Sequence, residues 1–254
     1  MSIVVTGSAS GIGAAVSAHF QKAGEKVIGI DIKGSDIVAD LSTMEGREAA
    51  IAGVKECCHA LDGLAACAGL GSTTRPVSLI GSVNYFGVVD LLDGLLELLQ
   101  RGKNPAAVVI SSMAAVISSP KDPYVLALLD HNEAEAARII DERGEAGMAY
   151  AGSKAAVVLA IRRRAMAWGK AGVRLNAIAP GNVNTPMLQK ELADPQSGKL
   201  LREMPYPLGR YAEPGEIAAA AAFLLSPEAS YIHGTCLWVD GGIDAAYWRR
   251  NRFF

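Results

Sequence analysis

The stretch Ile3-Val4-Val5-Thr6-Gly7-Ser8-Ala9-Ser10-Gly11-Ile12-Gly13 decides the fold. A β-branched apolar run, the pattern of a strand buried on both faces, breaks at Thr6 into a turn of glycine, serine and alanine. An Ala-rich segment with helical spacing, residues 13–23, follows at once. Strand, tight turn and helix in that order make a phosphate cradle. Glycines let backbone approach a pyrophosphate closely, and the helix N-terminus offers free N–H donors and a partial positive charge. Gly7, Ser10, Gly11, Ile12 and Gly13 are the candidate cradle residues. The spacing is GxxxGxG rather than GxGxxG, and no Gly-Lys-Ser/Thr follows, which excludes a P-loop. The competing reading is a purely structural turn; the strand–turn–helix context favours the cradle.

Working outward, β-branched runs recur at residues 26–31, 63–67, 107–111, 173–178 and 235–239. Between them lie Ala- and Leu-rich stretches with helical spacing at residues 46–57, 88–100, 151–170 and 213–225. This alternation implies a parallel sheet with helices on both faces and right-handed crossovers. No linker or repeat divides the chain, so residues 1–254 read as one doubly wound α/β domain. Two stretches break the pattern. Residues 117–147 hold a helical segment, residues 133–143, with Asn132 as N-cap, Glu133 and Glu135 in its first turn and Gly144 as its stop. Residues 185–210, with Pro186, Pro195, Pro205 and Pro207, read as a long lid or binding loop without a clear period.

Half the residues are hydrophobic and a fifth charged, enough for a large core and against disorder. A net charge of −2 gives no global field to recruit nucleic acid or an anionic membrane. No run of about 18 apolar residues is found, so no membrane span is expected. The N-terminus enters a strand directly, without the basic segment of a signal peptide. Cys57, Cys58, Cys67 and Cys236 form no CxxC and read as reduced thiols, so the expected location is cytoplasmic. His19, His59, His131 and His233 are scattered, and no metal site is expected. Arg162-Arg163-Arg164 reads as a solvated helix face, and the basic, aromatic residues 248–254 as a docking tail for a partner subunit.

The second strand ends in Asp31, with Ile32 next to it. A carboxylate there accepts hydrogen bonds from the adenosine ribose and repels a 2′-phosphate, which favours NAD over NADP; a loop cap is the alternative. Tyr150-Ala151-Gly152-Ser153-Lys154 places a phenol and an ammonium one helical turn apart. The ammonium, with the positive charge of an oxidised nicotinamide, would lower the phenol pKa towards neutrality and make a general acid/base. Alone, the pair could equally be an exposed helix pair.

In combination these segments resemble the short-chain dehydrogenase/reductase family, over nearly the whole chain. The cradle and YAGSK are joined by Val109-Ile110-Ser111-Ser112, Val83-Asn84-Tyr85-Phe86-Gly87, Arg174-Leu175-Asn176, Pro180-Gly181, Thr185-Pro186 and Asp240-Gly241-Gly242. The resemblance implies a Rossmann-type sheet, NAD as cofactor and a catalytic set of Asn84, Ser112, Tyr150 and Lys154. In it, Ser112 and Tyr150 also bind substrate, Lys154 binds the nicotinamide ribose, and Asn84 holds a water. It further places Asp40 and Leu41 beside the adenine, Ala68 and Gly69 along the cofactor, and Val183 and Thr185 beside the carboxamide. Two departures stand out. The family's NNAG is Ala66-Cys67-Ala68-Gly69 here, and the insertion widens the gap between Ser112 and Tyr150.

Within the family the chain is similar to bacterial members that act on 3α-hydroxysteroids and other carbonyl compounds. That implies a hydrophobic steroid or ketone substrate, with Met187, Leu188, Leu192, Leu200, Leu201 and Met204 suited to an apolar face or to packing of the loop. It also implies a homo-oligomer, a dimer, whose usual helical interface the insertion would cover, leaving pairing to the tail. A dehydrogenase of another secondary alcohol or a cis-diol remains an alternative. A dinucleotide sensor without chemistry is a third reading, against which stands the presence of all four catalytic residue types.

Overall fold

β1 (Ser2–Thr6), β2 (Lys26–Asp31), β3 (Ile37–Val38), β4 (Gly63–Ala66), β5 (Ala106–Ile110), β6 (Arg174–Pro180) and β7 (Cys236–Val239) form one parallel sheet in the order β3-β2-β1-β4-β5-β6-β7. The computed structural model describes residues 1–247. The helices are α1 (Gly11–Lys22), α2 (Met44–Cys57), α3 (Ser78–Gly81), α4 (Gly87–Gln100), α5 (Pro123–Leu129) and α6 (Glu133–Arg143). They continue with α7 (Ala146–Lys170), α8 (Pro186–Ala193), α9 (Pro195–Glu203), α10 (Pro214–Leu225) and α11 (Ile243–Tyr247). This is the expected doubly wound Rossmann-type sheet.

The period of two along β1 explains the two cores. Ile3 and Val5 point to one face, where Val16 and Phe20 of α1 and Ile217, Ala221 and Leu224 of α10 cover them. Val4 points to the other, among Val54 of α2, Leu91, Leu92 and Leu95 of α4 and Val157 and Ile161 of α7. Chain order reverses between β1 and β4, so a crevice opens at the carboxyl ends of the central strands.

Among the described residues Ser78–Gln100, 23 residues, is long and apolar enough by composition alone to cross a membrane, but Leu91, Leu92, Leu95 and Leu99 are fully buried, as in a core helix. Its middle, Ser82–Phe86, is a π-helical turn that swings Asn84 inward.

The insertion is built as its sequence signals. The Asn132 side chain accepts from Glu135 N (3.1 Å), and Gly144 ends α6 at φ 66°. Preceding it is α5, which the sequence reading missed. Asp122 caps α5 and Pro123 takes its first turn. Tyr124 of α5 is 2% exposed, wedged against Gly81 and Gly152. Glu133 binds the buried Arg47 of α2 (2.6 Å), which also meets Asp90 of α4 (2.8 Å).

The lid region also differs from expectation. Residues 185–210 are not aperiodic: they form α8 and α9. Pro186 and Pro195 start these helices rather than break them, with Thr185 accepting from Leu188 N (3.3 Å) and Asp194 from Ser197 N (2.8 Å). The Arg162–Arg164 expectation is corrected at Arg164, which is tied to Asp93 of α4 by two hydrogen bonds (2.9 and 2.6 Å).

Candidate active site

The crevice is a cavity of about 710 Å³ that runs from the glycine turn to α8 and α9. Gly7, Ser10, Gly11, Ile12, Gly13, Asp31, Ile32, Asp40, Leu41, Ala68, Gly69, Ser112, Tyr150, Lys154, Val183 and Thr185 all line it. Asn84 does not; it is fully buried behind the wall. Of the apolar candidates in the lid, Met187, Leu188, Leu200, Leu201 and Met204 line the cavity, whereas Leu192 does not.

At the cradle end the fit to a dinucleotide pyrophosphate is a matter of missing side chains. A Cβ on Gly13 would stand 2.1 Å from the Gly7 carbonyl, and one on Gly7, at φ +67°, would meet the Ala68 backbone at 2.9 Å. Ser10 makes no side-chain cap on the twelve-residue α1, leaving its N-terminal N–H groups directed at the crevice. Asp31 is oriented by the Ala9 and Ile32 N–H groups, which donate to Oδ2 (3.0 Å) and Oδ1 (2.7 Å). The lost asparagine contacts of the Cys67-Ala68 segment have a replacement: the Thr6 hydroxyl accepts from both Cys67 N (3.0 Å) and Ala68 N (2.9 Å). Thr6 ends the strand quoted at the outset, but its role was not legible until β4 was placed beside β1.

At the other end Tyr150 and Lys154 share one face of α7, below Ser112 at the end of β5. Lys154 Nζ lies 5.8 Å from the centroid of the Tyr150 ring and donates to the Ile110 carbonyl (2.8 Å). Burial dominates both groups. It lowers Lys154 to about 8, with the nearby Cys67 opposing, and pushes the Tyr150 phenol up, with a hydrogen bond from Ser112 opposing and the Glu191 charge adding. The expected lowering invoked Lys154 together with the positive charge of an oxidised nicotinamide; in the protein alone burial outweighs the other influences on the phenol. Cys67, pushed up by burial to about 12, is a thiol beside Lys154 and not a nucleophile.

Ser112 accepts from Ala114 N (3.1 Å) and directs its own hydroxyl hydrogen at the Tyr150 phenol oxygen. Asn84 accepts from Leu70 N (2.7 Å) and donates to Leu70 O (3.0 Å) and Ser153 Oγ (3.2 Å). It thereby ties the loop after β4 to the catalytic helix. Two residues that the sequence reading did not single out enter from opposite walls: Ser72 donates to Glu191 Oε2 (2.6 Å). Among the described residues no group of three or more His, Cys, Asp or Glu is arranged to hold a metal ion.

Residues 1–124 match the family model described as short chain dehydrogenase, and residues 136–244 the one described as Enoyl-(Acyl carrier protein) reductase. The chain is 51% identical over 247 residues to the 3-alpha-hydroxysteroid dehydrogenase/carbonyl reductase of Comamonas testosteroni, covering 96% of each. It belongs to the short-chain dehydrogenase/reductase family. The crystal structure of the 3-alpha-hydroxysteroid dehydrogenase from Pseudomonas sp. B-0831 complexed with NADH superposes on this dehydrogenase/reductase with a TM-score of 0.97. The two are 50% identical, and the match covers 99% of this chain and 100% of that one. More distant is the 2,5-dichloro-2,5-cyclohexadiene-1,4-diol dehydrogenase of Sphingobium indicum, 30% identical over 266 residues with 96% of each chain covered. The chain is thus a short-chain oxidoreductase whose likeness to the two hydroxysteroid enzymes extends over its whole length.

Proposed function

We propose that this dehydrogenase uses NAD(H) to interconvert a 3α-hydroxysteroid and the 3-ketosteroid, and reduces other ketones and aldehydes. The observation that carries the reading is the Tyr150 phenol, bonded to Ser112 above Lys154, where the cradle meets the apolar lid wall of Met187, Leu201 and Met204. The likeness to the two hydroxysteroid enzymes supports the substrate class. When bound, NAD(H) takes up or gives the hydride, and the positive charge of its oxidised ring favours the tyrosinate.

The protein's own residues supply the rest. The Ser112 hydroxyl would turn its hydrogen from the Tyr150 phenol to the substrate oxygen, where negative charge grows as the O–H proton is withdrawn in oxidation or as the C–H bond forms in reduction. Tyr150 takes the alcohol proton in oxidation and returns it in reduction. Lys154, fixed by Ile110, holds the nicotinamide-side ribose and keeps a positive charge beneath the phenol. Both amide hydrogens of Asn84 are already engaged, so a relay water would use the second lone pair of Oδ1, which borders Gly69 on the side of Lys154. Asp31 takes the adenosine ribose hydroxyls and repels a 2′-phosphate. Purified protein with NAD and a panel of 3α-, 3β- and 17β-hydroxysteroids and a cis-diol, followed at the NADH absorbance, tests the reading. Preference for the cis-diol would replace it.

The same reading takes the protein to be a cytoplasmic homodimer. Four free cysteines suit a reducing compartment. Leu129 and His131, at the turn between α5 and α6, reach into the cleft between α2, α4 and α7, and Arg47–Glu133 fastens the insertion there. That supports pairing away from this helical face. The tail expected to mediate it, residues 248–254, lies outside the described residues.

A further inference from the structure

Glu191 is the anomaly of the substrate cavity. It sits on α8, half-buried, the one charged side chain in a lid wall of Met187, Leu188, Ser197, Leu201 and Met204 among the described residues. A carboxylate among apolar side chains costs free energy unless its oxygens are bonded. Oε2 is bonded, by the Ser72 hydroxyl at 2.6 Å, the short distance of a charge-assisted bond. Oε1 has no such partner among the described residues; it packs against Gly71, where a Cβ would meet it at 2.5 Å. No Lys or Arg among the described residues forms an ion pair with Glu191. The carboxylate is therefore fixed from one side, and its other oxygen is left for whatever fills the cavity. Its charge also reaches the catalytic phenol, which it helps to push up.

We infer that Glu191, anchored by Ser72, is a specificity-determining residue that selects ketones and alcohols by charge. It accepts a hydrogen bond from a hydroxyl on the ring system and rejects substrates that place a carboxylate or sulfate in the cavity. This inference rests on the cavity being the substrate site of the dehydrogenase. In a site partly screened from water, two like charges repel far more than at the surface. A substrate hydroxyl, by contrast, gives Oε1 the donor it lacks.

The test uses a matched pair, the two-ring ketone 6-oxodecalin-2-carboxylate and its methyl ester. Each is titrated by calorimetry into the full-length protein loaded with NAD, where the ketone cannot be turned over. The unmodified protein is expected to bind the ester about tenfold or more tightly than the acid, Glu191→Gln to bring the two within about threefold, and Glu191→Lys to prefer the acid. Three results would overturn the inference: equal affinities in the unmodified protein, a ratio unchanged in Glu191→Gln, or binding of neither compound. Failure of the steroid reading shows elsewhere, as no turnover of the hydroxysteroid panel, because the affinity ratio is read without turnover.

Discussion

Residue by residue, the site works through groups that the fold holds in costly states. Lys154 is 4% exposed and lowered by burial to about 8, against 10.5 in the open chain. Between those two pH values the unfolded chain binds the proton and the folded chain does not. This one group therefore makes the fold more stable as pH rises through the window, by a total on the order of 3 kcal/mol. Urea unfolding between pH 7.5 and 10 should show the slope in the unmodified protein and its loss in Lys154→Met. Tyr150→Phe should lower turnover by about 10²–10⁴ while NADH still binds, because only the proton transfer is removed. Activity assay and NADH fluorescence titration separate the two effects. Asp31→Ala should erode the preference for NAD over NADP by about tenfold in kcat/KM, mostly through improved use of NADP, as repulsion of the 2′-phosphate is relieved.

Among the elements, those with a strong period were legible and those that depend on neighbours were not. β1, β2 and α4 are near their expected bounds because apolar runs and helical spacing carry over to a buried sheet and its covering helices. β3 was missed, having two residues whose only support is pairing with β2. α8 and α9 were missed because Pro186 and Pro195 look like breakers until Thr185 and Asp194 are seen to cap the helices they begin. α7 starts at Ala146, ahead of the expected residue 151, with Ala146 and Ala149 buried in its first turn. In the site, Tyr150, Ser112 and the cradle were readable from motif. Ser72, Glu191 and Thr6 were not, because their roles exist only across the crevice. α5 offers a test of packing against hydrogen bonding. The Tyr124 hydroxyl is buried without a hydrogen-bond partner among the described residues, 2.6 Å from where a Cβ on Gly81 would stand. Tyr124→Phe should thus leave stability unchanged or raise it by about 1 kcal/mol, whereas Tyr124→Ala should lower it by about 3–5 kcal/mol. Thermal melts of the two variants decide it.

For the molecule as a whole, the insertion trades one surface for another. The ion pairs of Arg47 with Glu133 and Asp90 clamp α6 to α2 and α4, and the α5–α6 turn fills part of the cleft beside α7. A subunit contact through that face would have to displace the insertion. If subunits pair through the tail as proposed, removing residues 247–254 should lower the mass to that of a monomer, as measured by light scattering. An unchanged mass would return the contact to the helical face.

Thr185 belongs to two machines at once. Its hydroxyl caps α8, the first helix of the lid, and its methyl group lies against the glycine turn, 3.3 Å from where a Cβ on Gly11 would stand. Whatever enters the cradle must settle against Thr185, and the start of α8 settles with it. A nucleotide in the cradle would thus bear on the lid wall of the substrate cavity, so sequential kinetics with a compulsory order are expected, nucleotide entering first and leaving last. Product-inhibition patterns should accordingly show NADH competing with NAD at every steroid concentration, while the ketone product gives mixed inhibition against both substrates.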